Sequence, residues 1–293
     1  MAGINREMPW ERPQCAMLPD GRRLHLHHGP IDLIIECFGH TRNDAYQRAR
    51  ARFETVLQDL ASELPQLRTP LSDKPVLNGP IARRMLDAIR PYQTCFVTPM
   101  AAVAGAVADE MLSIVAVGPE VKKAYVNNGG DVAFHLRGTE RFDVEIASRP
   151  PGRIAVSADD PVRGVATSGW RGRSFSFGIA DSVTVVAENA ASADVAATLI
   201  ANEVDLPDHP AIRRSPASEL APDSDLRDRP VTTAVGALTM QETESALDKG
   251  ARFATTLFEA GHIAGAILML NDRMRCIGAD ALQIATEADA GRT

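Results

Sequence analysis

An α+β fold, with antiparallel sheets and helices packed on them in a single unit, is what this chain predicts, on three observations. Apolar residues recur at every second position between Ala124 and Ile146, interrupted by Gly129-Gly130 and Gly138, which is the pattern of an antiparallel meander. Helical spacing governs Ala45, Ala49, Phe53, Val56, Leu57 and Leu60, and again Leu247, Ala251, Ala254, Leu257 and Phe258. Strands and helices come in runs rather than in strict alternation, which argues against a doubly wound parallel sheet. No internal repeat and no clear linker divides residues 1–293.

The elements follow in order. Leu24 and Leu26 alternate with Arg23, His25 and His27, and Gly29-Pro30 turns the chain into an apolar strand over 31–38. Thr41 is the predicted cap of the first helix, and Pro65 its stop. A proline-punctuated loop over 65–80 leads to a shorter helix carrying Ile81, Met85 and Ile89. Pro99 is expected to open an alanine-rich helix over 100–112, whose small residues, Gly105 among them, imply a very close neighbour. Past the meander, strands are expected over 154–156, 164–167 and 175–186, then a helix capped by Ser192 and running to about Asn202. Residues 205–230, rich in Pro, Asp, Arg and Ser, read as a long surface loop or lid. Thr239 and Glu242 form a capping-box pattern for the last long helix. Residues 263–270 read as a buried strand and 286–293 as a frayed polar tail.

Composition narrows the function. Hydrophobic residues at 45% and charged residues at 24% are ordinary for a globular core. A net charge of −7 argues against a nonspecific nucleic-acid binder, although Arg22-Arg23, Arg83-Arg84 and Arg213-Arg214 could contact one phosphorylated ligand. Cys15, Cys37, Cys95 and Cys276 form no Cys-x-x-Cys pair, so neither a zinc site nor a redox dithiol is signalled, and Cys37 reads as a small buried thiol. Residues 1–11 lack the apolar stretch of a secretory leader, and Asp109-Glu110 interrupts the apolar stretch 100–118. A cytoplasmic protein without a membrane partner is the expectation. The alanine-rich helix and the strand over 263–270 leave room for a homodimer.

Four constellations carry candidate chemistry. Asn127-Asn128-Gly129-Gly130-Asp131 follows a strand directly; its glycines permit close backbone approach to a ligand, or serve simply as a turn. Thr167-Ser168-Gly169-Trp170-Arg171 offers hydroxyls, a stacking ring and a cation to a phosphate or heterocycle, or is a loop anchored by its Trp. Asp194 and Thr198 stand four apart at a helix start, which suits a hard cation such as Mg²⁺, or merely complements the helix dipole. His25, His27 and His28 cluster beside Asp32, where His25 and His27 share a strand face and either bind a metal or line a solvated sheet.

Taken in order, these segments resemble the ApbE family of FAD:protein FMN transferases. The family pattern is a small-residue helix, a strand-Gly-Gly-Asp turn, a Thr-Ser-Gly loop and a helix reading Ala-Asp-x-x-Ala-Thr. Its counterparts here are residues 101–109, 126–131, 166–169 and 193–198. The resemblance implies an ApbE-like fold and a flavin nucleotide, FAD or FMN, held with Mg²⁺ for group transfer or phosphoester cleavage. It implies cofactor contacts at Asn128, Gly129, Gly130, Asp131, Thr167, Ser168 and Gly169, and metal ligands at Asp194 and Thr198; it assigns no catalytic residue. Two departures stand out. Ala104 precedes Gly105 where the family carries a lysine, and residues 173–181 lack the histidine of the family's His-Ile-Ile-Asp-Pro-x-Thr-Gly segment. These departures weigh against FMN transfer and make a noncatalytic flavin-binding or cofactor-assembly protein the alternative. The opening segments around Asp20 and Gly29 point to a cytoplasmic, unlipidated branch of the superfamily.

Overall fold

The computed structural model describes residues 12–146, 152–278 and 283–284; the expectations for the first residues and for the tail lie outside them. In chain order come strands β1 (Gln14–Met17), β2 (Leu24–His28) and β3 (Ile31–Cys37), and helices α1 (Arg42–Ser62), α2 (Leu64–Leu67), α3 (Pro80–Ile89) and α4 (Val103–Val115). Strands β4 (Lys123–Asn128), β5 (Asp131–Leu136), β6 (Arg141–Ile146), β7 (Gly152–Ser157), β8 (Gly164–Ser168) and β9 (Ser182–Ala187) follow, then α5 (Ala190–Glu203). The chain continues through β10 (Ile212–Pro216), α6 (Ala217–Leu220), β11 (Pro230–Val235), α7 (Met240–Glu259), β12 (Gly265–Leu270), β13 (Arg273–Ile277) and β14 (Gln283–Ile284).

The frame is a nine-stranded sheet in the order β1-β2-β3-β4-β5-β8-β9-β12-β13, with every neighbouring pair antiparallel. The period-two alternation of its strands divides the core. Leu24, Leu26, Leu33, Ile35, Val126, Ala133 and Ala166 face the helices, whereas Phe134, Val165, Val186, Ile267 and Met269 face Ile154 and Val156 of a small sheet, β14-β7-β6. Strand β12, covered on both sides, is buried at all six residues, which is why it reads as a continuous apolar run.

Helices α4 and α5 cross at contact distance. A Cβ added to Gly105 would sit 2.2 Å from the Ala190 carbonyl oxygen and 2.7 Å from the Ala191 nitrogen, so only glycine permits the approach. The neighbour implied by the small residues of α4 is thus α5. The Gly105 face of α4 is packed on α5, and β12 lies inside the sheet.

Several boundaries differ from expectation. Asn189, not Ser192, caps α5: its side chain accepts from the Ser192 N–H, and the helix starts earlier. Thr41 occupies the N-cap position of α1, but its hydroxyl makes no capping bond. Pro99 begins a tight 3₁₀ turn, Pro99–Ala102, before α4 proper. The strand expected over 175–186 exists only from Ser182, because the Asn202 side chain takes the Phe177 N–H (2.9 Å) and Val204 takes that of Ile179 (2.8 Å). Residues 205–230 are more ordered than a loop. They carry β10 and α6 and lead into β11, which pairs with β10 in a two-stranded sheet bulged between Arg213 and Arg214. Its β-branched residues are hidden among Arg and Pro. The capping box at Thr239 and Glu242 forms as expected.

Candidate functional site

Strand parity decides which predicted residues meet. Asn128 ends β4 and Asp131 begins β5, both on the helix side of the sheet and both buried. The Asn128 amide donates to the Ala104 carbonyl (3.0 Å), which pins the turn to the start of α4. Between them Gly129 and Gly130 take φ values of 64° and 119°, and the space beside Gly130 is open.

Asp194, in the second turn of α5, accepts from the Gly105 N–H (3.0 Å). Burial first, then the neighbouring charge of Asp131, push the Asp194 carboxyl well above the usual carboxylate range, against the pull of the Gly105 and Ala104 amides. Asp194 keeps part of its surface accessible although protein packs round it. Burial also raises Asp131, opposed by the Thr167 N–H (3.4 Å) and by the charge of Arg173. One turn further along α5, the Thr198 hydroxyl donates to the Ser168 hydroxyl (3.4 Å). Asn128, Asp131, Ser168, Asp194 and Thr198 therefore form one cluster.

Other predicted residues sit differently. The Thr167 side chain points to the opposite face, where its hydroxyl bonds that of Thr184 (2.8 Å), and only its backbone amide joins the cluster. A Cβ on Gly169 would lie 2.6 Å from the Asp181 carbonyl oxygen, so this glycine serves backbone packing. Asp181 in turn accepts from the Trp170 indole (3.3 Å) and from Arg171 (2.5 Å), whose guanidinium lies over the Trp170 ring.

The histidines do not converge. His25 bonds Asp32 (2.5 Å) and lies near His27 on the face away from the helices, whereas His28 packs edge-on against Phe53 of α1. Among the described residues no group of three or more His, Cys, Asp or Glu side chains could hold a metal. One arginine of each pair is already committed, Arg23 to Asp20, Arg84 to Glu110 and Arg214 to Asp205. Cys37 is buried, and burial pushes its thiol up.

Two residues escaped the sequence reading. Asp109 of α4 accepts from the Ala190 and Ala191 N–H groups (3.0 and 2.9 Å) at the start of α5, and burial pushes its carboxyl up to about 6. Its position four residues after Gly105 was the available signal. Arg173 reaches the Gly129 carbonyl from a loop of no regular pattern, and nothing in its neighbours marks it. A cleft of about 690 Å³ opens between Phe177, Asp205, Ile212, Arg214 and Arg229; its lining includes Arg214 of the predicted arginine pairs but none of the predicted cofactor or metal residues.

An antiparallel α+β frame with a Gly-Gly-Asp turn beside an Ala-Asp-x-x-Ala-Thr helix defines an ApbE-like protein. The chain belongs to the family described as AbpE bacteria, whose model matches residues 15–276. It is similar to a UPF0280 protein of Methanothermobacter thermautotrophicus, at 37% identity over 52% of this chain and 59% of that protein. A UPF0280 protein of Methanopyrus kandleri is 40% identical over 42% of this chain and 48% of its own length. The chain thus spans about half the length of these relatives. The solved apo flavinyl transferase ApbE of Pseudomonas stutzeri aligns with a TM-score of 0.39 and 12% identity, covering 92% of this chain and 96% of that one. No helix among the described residues is long and apolar enough to cross a membrane.

Proposed function

We propose that this ApbE-like chain binds a flavin nucleotide, FAD or FMN, with Mg²⁺ at the Asp131–Asp194 cluster, and that it acts in the cytoplasm on this small-molecule partner in group transfer or phosphoester cleavage. The observation that carries the reading is the gathering of two carboxyls, Asp131 and Asp194, beside a turn of exposed backbone, where burial raises both and the charge of Asp131 raises Asp194 further. Two acidic groups forced together are relieved by a proton or by a cation.

The donor set fits a hard divalent ion. Asp194 uses one oxygen on Gly105, and Asp131, the Thr198 and Ser168 hydroxyls and water could complete an oxygen shell of the kind Mg²⁺ keeps. The bound ion would supply charge neutralisation to a diphosphate. Asn128 and the Thr167 amide hold the turn and Asp131 in position, while Gly129 and Gly130 leave room for ligand oxygens. Asp194, Thr198 and Asn202 follow one another at four-residue spacing along one face of α5, so the cluster and the Phe177 cleft lie about 12 Å apart along the axis. A cleft of about 690 Å³ is of a size to take a ring system.

A noncatalytic flavin-binding role is the second reading. It is favoured by Ala104 before Gly105 and by the absence of any histidine from the loop over 173–181.

Calorimetry with FAD, with and without Mg²⁺, tests the shared claim. Binding strengthened by Mg²⁺ and lost in Asp194→Ala is expected, and no binding by the unaltered chain rejects both readings. Incubation with FAD then separates them: release of AMP marks cleavage, and intact FAD marks binding alone.

A further inference from the structure

We infer that Arg173 is the anion-recognition residue of this site and selects phosphate-bearing flavins over riboflavin; the inference rests on the flavin reading above and deepens it. The loop following β8 leaves the cluster at Ser168 and returns at Ser176 and Phe177, which Asn202 of α5 anchors. Between these ends Arg173 reaches over the β4–β5 turn and donates from Nη2 to the Gly129 carbonyl (3.3 Å). It is exposed and makes no ion pair among the described residues, although its charge is felt by Asp131. One of its five N–H donors is used within the chain, which leaves the others for a ligand.

Gly129 makes room for it. A Cβ there would meet Arg173 Nη2 at 1.6 Å, so any side chain at 129 would displace the guanidinium. The electrostatics explain what the arrangement is for. A phosphate drawn to a cation at Asp131 and Asp194 still presents charged oxygens on its other side, and a planar guanidinium offers two parallel donors to them. Riboflavin has no such group. Arg173 therefore contributes to FAD and FMN binding and nothing to riboflavin binding.

The test titrates FAD, FMN and riboflavin into the unaltered chain, Arg173→Ala, Arg173→Lys and Gly129→Ala, by flavin fluorescence, with and without Mg²⁺. In Arg173→Ala, FAD and FMN affinities are expected to fall about tenfold or more, while riboflavin affinity is unchanged. Arg173→Lys should recover part of the loss, and Gly129→Ala should reproduce it. An unchanged ratio of FMN to riboflavin affinity in Arg173→Ala, with the unaltered chain binding both, overturns the inference and spares the flavin reading. Failure of the unaltered chain to bind any of the three removes both.

Discussion

Asp109 and Asp194 hold each other's helices. Asp109 on α4 accepts from the first amides of α5, and Asp194 on α5 accepts from the amide of Gly105 in the first turn of α4. Each carboxylate thus serves the positive end of the opposite helix, which satisfies orphan N–H groups at a buried crossing. The contact between Gly105 and Ala190 is what brings both within reach.

Removing one half of this exchange leaves two amides without acceptors. Asp109→Ala is expected to cost roughly 2 to 4 kcal/mol, combining a lost cap with unsatisfied N–H groups. Urea unfolding followed by circular dichroism measures it. Asp109→Asn, which retains an acceptor, should cost markedly less.

The same residue predicts a pH dependence. Its folded pKa of about 6 lies above the value near 4 of an unfolded carboxyl, so the protonated form favours folding. That contribution is complete below about pH 4 and is lost as pH rises through about 6. The stability gap between the unaltered chain and Asp109→Asn should therefore change across this window and stay flat above pH 8. A gap that is constant throughout contradicts the assignment.

Gly105→Ala places a methyl group against backbone rather than against a movable side chain. A loss of at least about 1 to 3 kcal/mol is expected, with weakened Mg²⁺-dependent binding, because the helices must separate where Asp194 is held. Melting temperature and FAD titration on one preparation check both effects. Ala106→Gly, one position along the same helix, serves as a comparison that loses propensity without creating a clash.

Asn202→Ala removes the acceptor of the Phe177 N–H and of the Ser176 hydroxyl. A loss of about 1 to 3 kcal/mol is expected. Hydrogen exchange should quicken at Phe177 and in the loop before it, while β12 stays protected. Unchanged exchange in that loop would show that Asn202 does not anchor it.

Structure is legible in the sequence where the chemistry is local. The β2–β3 hairpin, the β4–β5 turn and the Thr239–Glu242 box depend on neighbours a few residues apart. Phe175, Phe177 and Ile179 alternate like a strand, yet α5 captures the backbone there, and no short window contains Asn202 or Val204. Thr167 illustrates the same limit at the site. Its hydroxyl was the attractive feature, but strand parity turns it away and leaves its amide facing Asp131. The cluster's candidate residues were legible as types, whereas Asp109 and Arg173 matter through contacts that only the folded sheet creates.

The hydrogen bonds that build the cluster join residues 24, 36 and 89 positions apart. No fragment of the chain carries the site, and it comes into being only when the central strands and both crossing helices have docked. A molecule that settles there is thus a reporter of complete folding. It raises the free energy needed to open β5, β8, α4 and α5 together, so slowed amide exchange should spread across these elements rather than remain at the carboxylates.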